Sequence, residues 1–307
     1  MKNTYLVLSP VLIIIINITD MDTSNIPGKQ VNSKKLLEKR NLPDLEDARN
    51  QLIDSLNNLH LFDEKVLAAI AAVPRHAFAP PALWRMAYAD IELWGPSAFL
   101  PRPSIVARIA QAVLDGNANT VLEYATGTGY VTTILSLLTD KVFTVEHDPW
   151  QLWLSSDAFR ELEINNISQK SSDGRLGWPE HAPFDAIVVC AAIPDMLKAF
   201  TDQLTDSGTL IAPIGSYYGP HHLKTWNQQE GTPHIADLAP CFFPPLTGVW
   251  RPDVHTDVKS DETSSSFWDA TKQGAHLSWP LSASDPFVSA APIEGAFDIT
   301  PPDEPIV

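Results

Sequence analysis

Three features of this chain predict an open α/β fold built on a mostly parallel sheet. Short apolar runs recur between Thr120 and Gly215. Amphipathic stretches of helical length separate them. The runs lack the polar alternation of a half-exposed strand, so each is expected to be covered on both faces, as parallel strands are.

The elements follow in order. Lys2 precedes the apolar run Tyr5 to Ile18, and Met21 stands just beyond it. Those fourteen residues would make about 21 Å of helix, short of a bilayer core of about 30 Å, and Pro10 interrupts them. No small-residue cleavage site follows. A leader ahead of an internal start at Met21, a signal or anchor, and a core strand all stay open, and no stable membrane span is expected. Residues 21–43 are polar and read as an irregular lead-in. Regular structure is expected from Asp44, a candidate cap after Pro43, with Leu52, Ile53 and Leu56 at helical spacing. A second helix fits Asp63 to Val73, with Asp63 as its cap and Pro74 as its stop.

The α/β region then opens with the strand Thr120 to Ala125 and the helix Gly129 to Leu138. Lys141 to Glu146 is the next strand and Pro149 to Glu163 the next helix, where Trp150 and Trp153 are spaced to pack against the sheet. Ala186 to Ala191 and Thr209 to Ile214 read as buried strands, and Ile235 to Phe243 as a terminal strand pair. From Val249 the chain is rich in Pro, Ser and Asp and reads as an ill-ordered tail. Phe267, Trp268, Trp279, Phe287 and Phe297 are expected to anchor parts of it to the body. The division is thus a leader and lead-in over 1–43, one α/β domain over 44–248, and a tail over 249–307.

Composition narrows the function. The chain has 307 residues, 21 Lys and Arg against 37 Asp and Glu, and a net charge of −16. A surface that acidic repels phosphate backbones, which argues against a nucleic-acid partner. Mean hydropathy of −0.06 describes a globular chain. Two cysteines, Cys190 and Cys241, exclude a disulfide scaffold and a thiolate zinc cluster. Both sit among apolar neighbours and are read as buried free thiols. No metal is expected.

The segment Val121-Leu-Glu-Tyr-Ala-Thr-Gly-Thr-Gly-Tyr130 is the informative one: a strand, a tight glycine turn, and a helix whose first amides face a ligand. A dinucleotide fingerprint would need glycine at 125, 127 and 130. The chain has Ala125, Gly127 and Tyr130, with its second glycine at 129. That spacing fails for NAD and resembles the glycine loop of S-adenosylmethionine (SAM) methyltransferases, with Glu123 as the acidic residue and Ala125 in place of the first glycine. Glu146 ends the next strand, 23 residues after Glu123, where ribose hydroxyls are bound in such units.

From about Leu52 to Gly248 the chain resembles the protein-L-isoaspartate (D-aspartate) O-methyltransferase family. The landmarks are Val73-Pro-Arg-His-Ala-Phe78, Ala87-Tyr-Ala-Asp90, Ser172-Asp-Gly-Arg-Leu-Gly177, Ala182-Pro-Phe-Asp-Ala-Ile-Val-Val-Cys-Ala-Ala192, Ser207-Gly-Thr-Leu-Ile-Ala-Pro-Ile-Gly215 and Phe242-Phe-Pro-Pro-Leu246. The resemblance implies a doubly wound SAM-dependent methyltransferase fold with an N-terminal helical cap. It also implies SAM as cofactor, held by Glu123, Ala125, Thr126, Gly127, Gly129, Glu146 and His147, with Asp173 and Gly174 against the adenine. The implied reaction is methyl-ester formation on an isoaspartyl or aspartyl carboxylate of a protein or peptide, a repair reaction. A carboxylate is ionised at pH 7 and needs no base, so no catalytic side chain is assigned. His76, His147 and His181 are read as structural or surface residues, with His147 bordering the cofactor. SAM is made in the cytosol, which implies a cytoplasmic protein.

One departure stands out. The family's substrate loop carries Thr-Ile-Ser-x-Pro ahead of a helix, whereas this chain has Phe99, Leu100, Pro101, Arg102 and Pro103. Both hydroxyls are gone, and Pro101 lacks an amide donor. Arg102 could supply a charged fork for a carboxylate, or could be a surface residue beside a site that has lost its chemistry. Three functions remain in view: the general isoaspartyl methyltransferase, a carboxyl methyltransferase narrowed to one modified peptide, and a non-catalytic SAM-binding module that recruits a partner.

Overall fold

The computed structural model describes residues 31–95, 98–172, 176–195, 197–216, 220–229 and 232–246. The apolar run after Lys2, Pro96 and Ser97, Asp173 and Gly174, and the tail with its five aromatic residues lie outside the described residues.

The described residues open with three helices, α1 (Ser33–Lys39), α2 (Glu46–Asn57) and α3 (Glu64–Ala72). Two 3-10 turns, Arg75–Phe78 and Pro81–Met86, lead to the antiparallel pair β1 (Leu93–Gly95) and β2 (Ala98–Leu100). Helix α4 (Pro103–Asp115) precedes β3 (Thr120–Tyr124), α5 (Tyr130–Leu138), β4 (Lys141–Glu146), α6 (Pro149–Glu161) and β5 (Ile167–Ser171). Then come β6 (Phe184–Val189), α7 (Lys198–Thr201), β7 (Leu204–Gly215), β8 (His221–Gln229) and β9 (Thr232–Cys241). The large sheet runs β5-β4-β3-β6-β7-β8-β9, parallel through β7 and antiparallel at β8 and β9.

Strand side chains alternate between two buried clusters. Val121, Ala186 and Val188 join the core under α2 to α5, while Leu122, Tyr124, Ile187 and Val189 join the core shared with Phe200 of α7. Helix α5 is buried from Tyr130 through Leu137, which explains its near-absence of charge. Asp63 caps α3 by accepting from the Lys65 amide at 2.8 Å. Helix α2 begins at Glu46, whose amide donates to Asp44 at 3.0 Å. Both cysteines are buried and free.

Four expectations are corrected. The lead-in is not irregular throughout, because α1 forms within it. Asn32 caps the Lys35 amide at 3.1 Å, Leu36 is buried, and Arg40 reaches Glu161 and Asp157 of α6. Those partners lie more than a hundred residues away, so nothing local announced the helix. Strand β5 was not foreseen, since Ile-Ser-Gln-Lys-Ser is a half-exposed edge rather than an apolar run. Ile235 to Phe243 is not a strand pair but lies largely in β9, whose partner is the polar β8. An antiparallel edge with one solvated face has no need of continuous apolar residues. Trp150 and Trp153 do not pack against the sheet: they stack on each other with centroids 5.1 Å apart, and Trp153 is exposed. Ser155, Ala158 and Phe159 take the buried face of α6 instead.

Candidate functional site

From β3 the chain winds outward through β4 to β5, then returns to lay β6 on the other side of β3. The strand order therefore reverses between β3 and β6. Open α/β sheets bind ligands in the crevice beyond the carboxyl ends of the strands at such a switch point. The turn Ala125 to Gly129 occupies that position.

The turn is built from backbone in the left-handed region, with φ of +63° at Ala125, +54° at Gly127 and +84° at Gly129. Gly129 has no substitute: a Cβ there would lie 2.8 Å from the Phe159 ring and 3.0 Å from Ser155. Ala125 adopts the same handedness with a Cβ present, so replacing glycine has left the turn intact but strained. Gly129 opens α5 without a side-chain cap, which leaves first-turn amides free to meet an anionic group.

Glu146 fastens the turn. Its Oε2 accepts from the Gly127 amide at 2.8 Å, and its Oε1 from the His147 and Asp148 amides at 2.7 and 2.8 Å. A carboxylate offers about four acceptor positions, so one on Oε2 stays available. His147 itself is exposed, and its contribution to this knot is its amide.

Glu123 lies one layer deeper and has no accessible surface. Thr132 donates to its Oε2, Thr144 donates to the same oxygen at 2.8 Å, and the Cys190 thiol lies 3.5 Å from Oε1. With its proton on Glu123, Thr144 accepts from Thr126 at 2.6 Å. Glu123 and the Thr126 side chain thus brace the turn from beneath instead of facing a ligand. Burial pushes the Glu123 carboxyl up to about 7, against the pull of its three donors.

Asp173 and Gly174 lie outside the described residues, but the chain on either side is pinned beside Glu146. The Ser172 amide donates to the Glu146 carbonyl at 3.1 Å. Gln203 holds the far side, donating to the Leu176 carbonyl at 3.2 Å and accepting from the Trp178 amide at 2.9 Å. Sequence reading missed Gln203, a polar residue between α7 and β7 with no motif around it.

The loop before α4 departs from its expected role. Leu100 and Pro101 are buried, and Phe99 is half-buried between Trp94 and Phe243, with centroids 4.6 and 5.4 Å away. Arg102 is committed to the Pro240 carbonyl and lies 3.6 Å from Glu92, so it is neither a free fork nor an idle surface residue. The fully buried Arg75 joins the segment ahead of β1 to the first residue of α5. It donates to the Ala87 carbonyl at 2.8 Å and the Ile91 carbonyl at 3.4 Å, with its guanidinium 5.1 Å from the centroid of the Tyr130 ring. Asp90 accepts from the Ser104 amide at 2.7 Å in the first turn of α4. Arg75 and Asp90 stood inside recognisable motifs, but their roles needed contacts between separate segments. His76 is a core residue bonded to Tyr88 at 2.8 Å, and His181 is exposed and stacks on Phe143. Among the described residues, no group of three His, Cys, Asp or Glu side chains is placed to hold a metal ion, and no helix is long and apolar enough to cross a membrane.

The switch-point glycine turn tied to a strand-end glutamate, on a seven-stranded sheet with this order, defines a SAM-dependent methyltransferase fold. Residues 47–250 match the model of the protein-L-isoaspartate(D-aspartate) O-methyltransferase family. Protein-L-isoaspartate O-methyltransferases of Stenotrophomonas maltophilia (strain K279a) and Xanthomonas oryzae pv. oryzae (strain PXO99A) are each 40% identical over 199 residues, covering 64% of this chain and 88% of the relative. A solved protein-L-isoaspartate O-methyltransferase superposes with a TM-score of 0.58 at 22% identity, over 66% of each chain. A Plasmodium falciparum chain described as the same enzyme, in complex with S-adenosyl-L-homocysteine, superposes with a TM-score of 0.56 at 18% identity, over 64% of this chain and 96% of its own. This chain belongs to the protein-L-isoaspartate(D-aspartate) O-methyltransferase family.

Two outcomes follow from the geometry. Ala125→Gly removes a left-handed strain of about 1–2 kcal/mol, partly offset by the entropy of glycine in the unfolded chain, for a net gain of about 0.5–1 kcal/mol. Calorimetry should show the melting temperature rising by about 1–4 °C. Glu123 has a folded-state value above its ordinary 4.5, so the native chain binds the extra proton. Its contribution to stability is full below pH 4.5, falls as pH rises, and is lost above about 7. Glu123→Gln cannot ionise, so the wild-type-minus-variant difference in denaturant midpoint should decline across that window.

Proposed function

We propose that this chain transfers the methyl group of SAM to the carboxylate of isoaspartyl residues in proteins or peptides, forming a methyl ester. The observation that carries the reading is the knot of Glu146 and the Gly127 amide at the switch point, within a chain of this family. The residues present fit the cofactor. The uncapped start of α5 suits the carboxylate of its amino-acid end, and the remaining acceptor position of Glu146 suits a ribose hydroxyl. Asp173 and Gly174 are assigned to the adenine side. When bound, SAM supplies an electrophilic methyl on its sulfonium.

This chain's own residues have three tasks. Glu146 and the Ala125 to Gly129 turn hold one reactant, with Thr126 and Glu123 bracing the turn from the core. Arg75 sets the segment ahead of β1 against α5. Holding a carboxylate oxygen in line with the methyl–sulfur bond is the main source of rate in such a reaction. The acceptor carboxylate is already ionised near neutral pH, so the site needs no general base. We assign the methyltransferase domain to residues 44–248 and a cytoplasmic location, where the methyl donor is made.

The decisive experiment pairs two peptides that differ only in isoaspartate against aspartate, with methyl-labelled SAM. Label released as methanol by mild base from the isoaspartyl peptide alone is the expected result. Release from neither, with cofactor still bound, would overturn the reading. Glu146→Ala loses a charged acceptor at the ribose and the knot on Gly127, and S-adenosylhomocysteine affinity by calorimetry should fall by about 10- to 100-fold.

A further inference from the structure

We propose that Trp94, Phe99 and Phe242 form a subsite for an aromatic side chain flanking the isoaspartyl residue of the substrate peptide; the inference rests on the activity proposed above. Trp94 of β1 lies opposite Phe99 of β2, with ring centroids 4.6 Å apart. Phe242, just past β9, meets Trp94 edge-on at 5.5 Å and 67°. Phe243 is buried against Phe99 and anchors the group, whereas Trp94 and Phe242 are 51% and 42% exposed. Of the four rings, Phe243 is spent on packing, Phe99 is half-buried, and two are presented to solvent.

The location assigns the occupant. Strand β9 ends beside the start of β8, at the edge where β7 ends, and the Phe243 amide donates to His221 Nδ1 at 3.3 Å. Pro245 bridges to Ala192, just beyond β6. The aromatic group therefore stands at the carboxyl edge of the sheet that also carries the switch point. In sequence, its hairpin falls where the resemblance implies a hydroxyl-bearing substrate loop. Leu100 and Pro101 offer that rim no surface, and Arg102 is engaged by Pro240 and Glu92. Among the described residues, aromatic faces are what remains to grip a peptide there.

A ring laid across the exposed faces of Trp94 and Phe242 would find the offset or edge-to-face geometry that aromatic groups prefer, and would cover apolar surface that is otherwise wet. Charge adds a second selection. The chain carries −16, so acidic flanks are repelled. The substrate class is an isoaspartyl peptide with an aromatic neighbour and no acidic residue beside it.

The test uses the full chain loaded with S-adenosylhomocysteine and three peptides of equal length, with Phe, Ser or Glu flanking the isoaspartyl residue. Affinity is measured by calorimetry, and base-labile methyl transfer is measured separately with SAM. The Phe peptide should bind about tenfold tighter than the Ser peptide, and the Glu peptide more weakly than either. Trp94→Ala and Phe242→Ala should each cut the Phe advantage to within about twofold, and Trp94→Phe should retain most of it. Equal affinity for Phe and Ser, a Phe advantage untouched by both alanine variants, or no binding by any peptide would overturn the subsite. Methyl transfer to all three with equal KM would overturn it while leaving the activity standing. A Trp94-dependent Phe advantage in binding, with no methanol from any peptide, would support the subsite and overturn the activity.

Discussion

The Glu146 carboxylate is the point on which the rest of this site depends. It sits where β4 ends, α6 begins and the glycine turn passes, and it binds amides from the turn and from the entry to α6. Those amides belong to loops whose regular hydrogen bonding has stopped, so without the carboxylate they would lose their protein partners. The same group faces the crevice where the strand order reverses. Structural and functional demands therefore fall on a single side chain.

A second carboxylate beneath it shows how environment separates two chemically equal groups. Glu123 is sealed among Thr132, Thr144 and Cys190, where burial makes ionisation costly. Glu146 is met by backbone donors at the sheet edge. One glutamate braces the turn from the core and the other fastens it at the sheet edge. Arg75 ties the segment ahead of β1 to the same side of the sheet, because its contacts join the Ala87 and Ile91 carbonyls to the Tyr130 ring that opens α5.

The β1–β2 hairpin and the loop before α4 pack without hydroxyl side chains at positions 99 and 101. Leu100 and Pro101 turn inward, Arg102 ties the loop to β9, and Trp94 and Phe243 flank Phe99 while Phe242 meets Trp94. The outcome is a rim at the carboxyl edge of the sheet on which Trp94 and Phe242 are exposed.

The amino-acid sequence by itself determined the α/β class, four of the parallel strands, the Asp63 cap and the glycine turn with Glu146 at the following strand end. Each of these is local: an apolar run, a cap before a periodic segment, a backbone conformation that needs glycine, or a fixed spacing between two strand ends. Only the tertiary structure decided the strand order, helix α1, the half-exposed β5 and β8, and the faces taken by Trp150, Trp153, Leu100 and Arg102. It also decided that Glu123 turns into the core and that Gln203 and Arg75 hold the loops. These depend on partners tens to more than a hundred residues distant, and polar side chains at an edge or in a loop carry no periodicity that names such partners in advance.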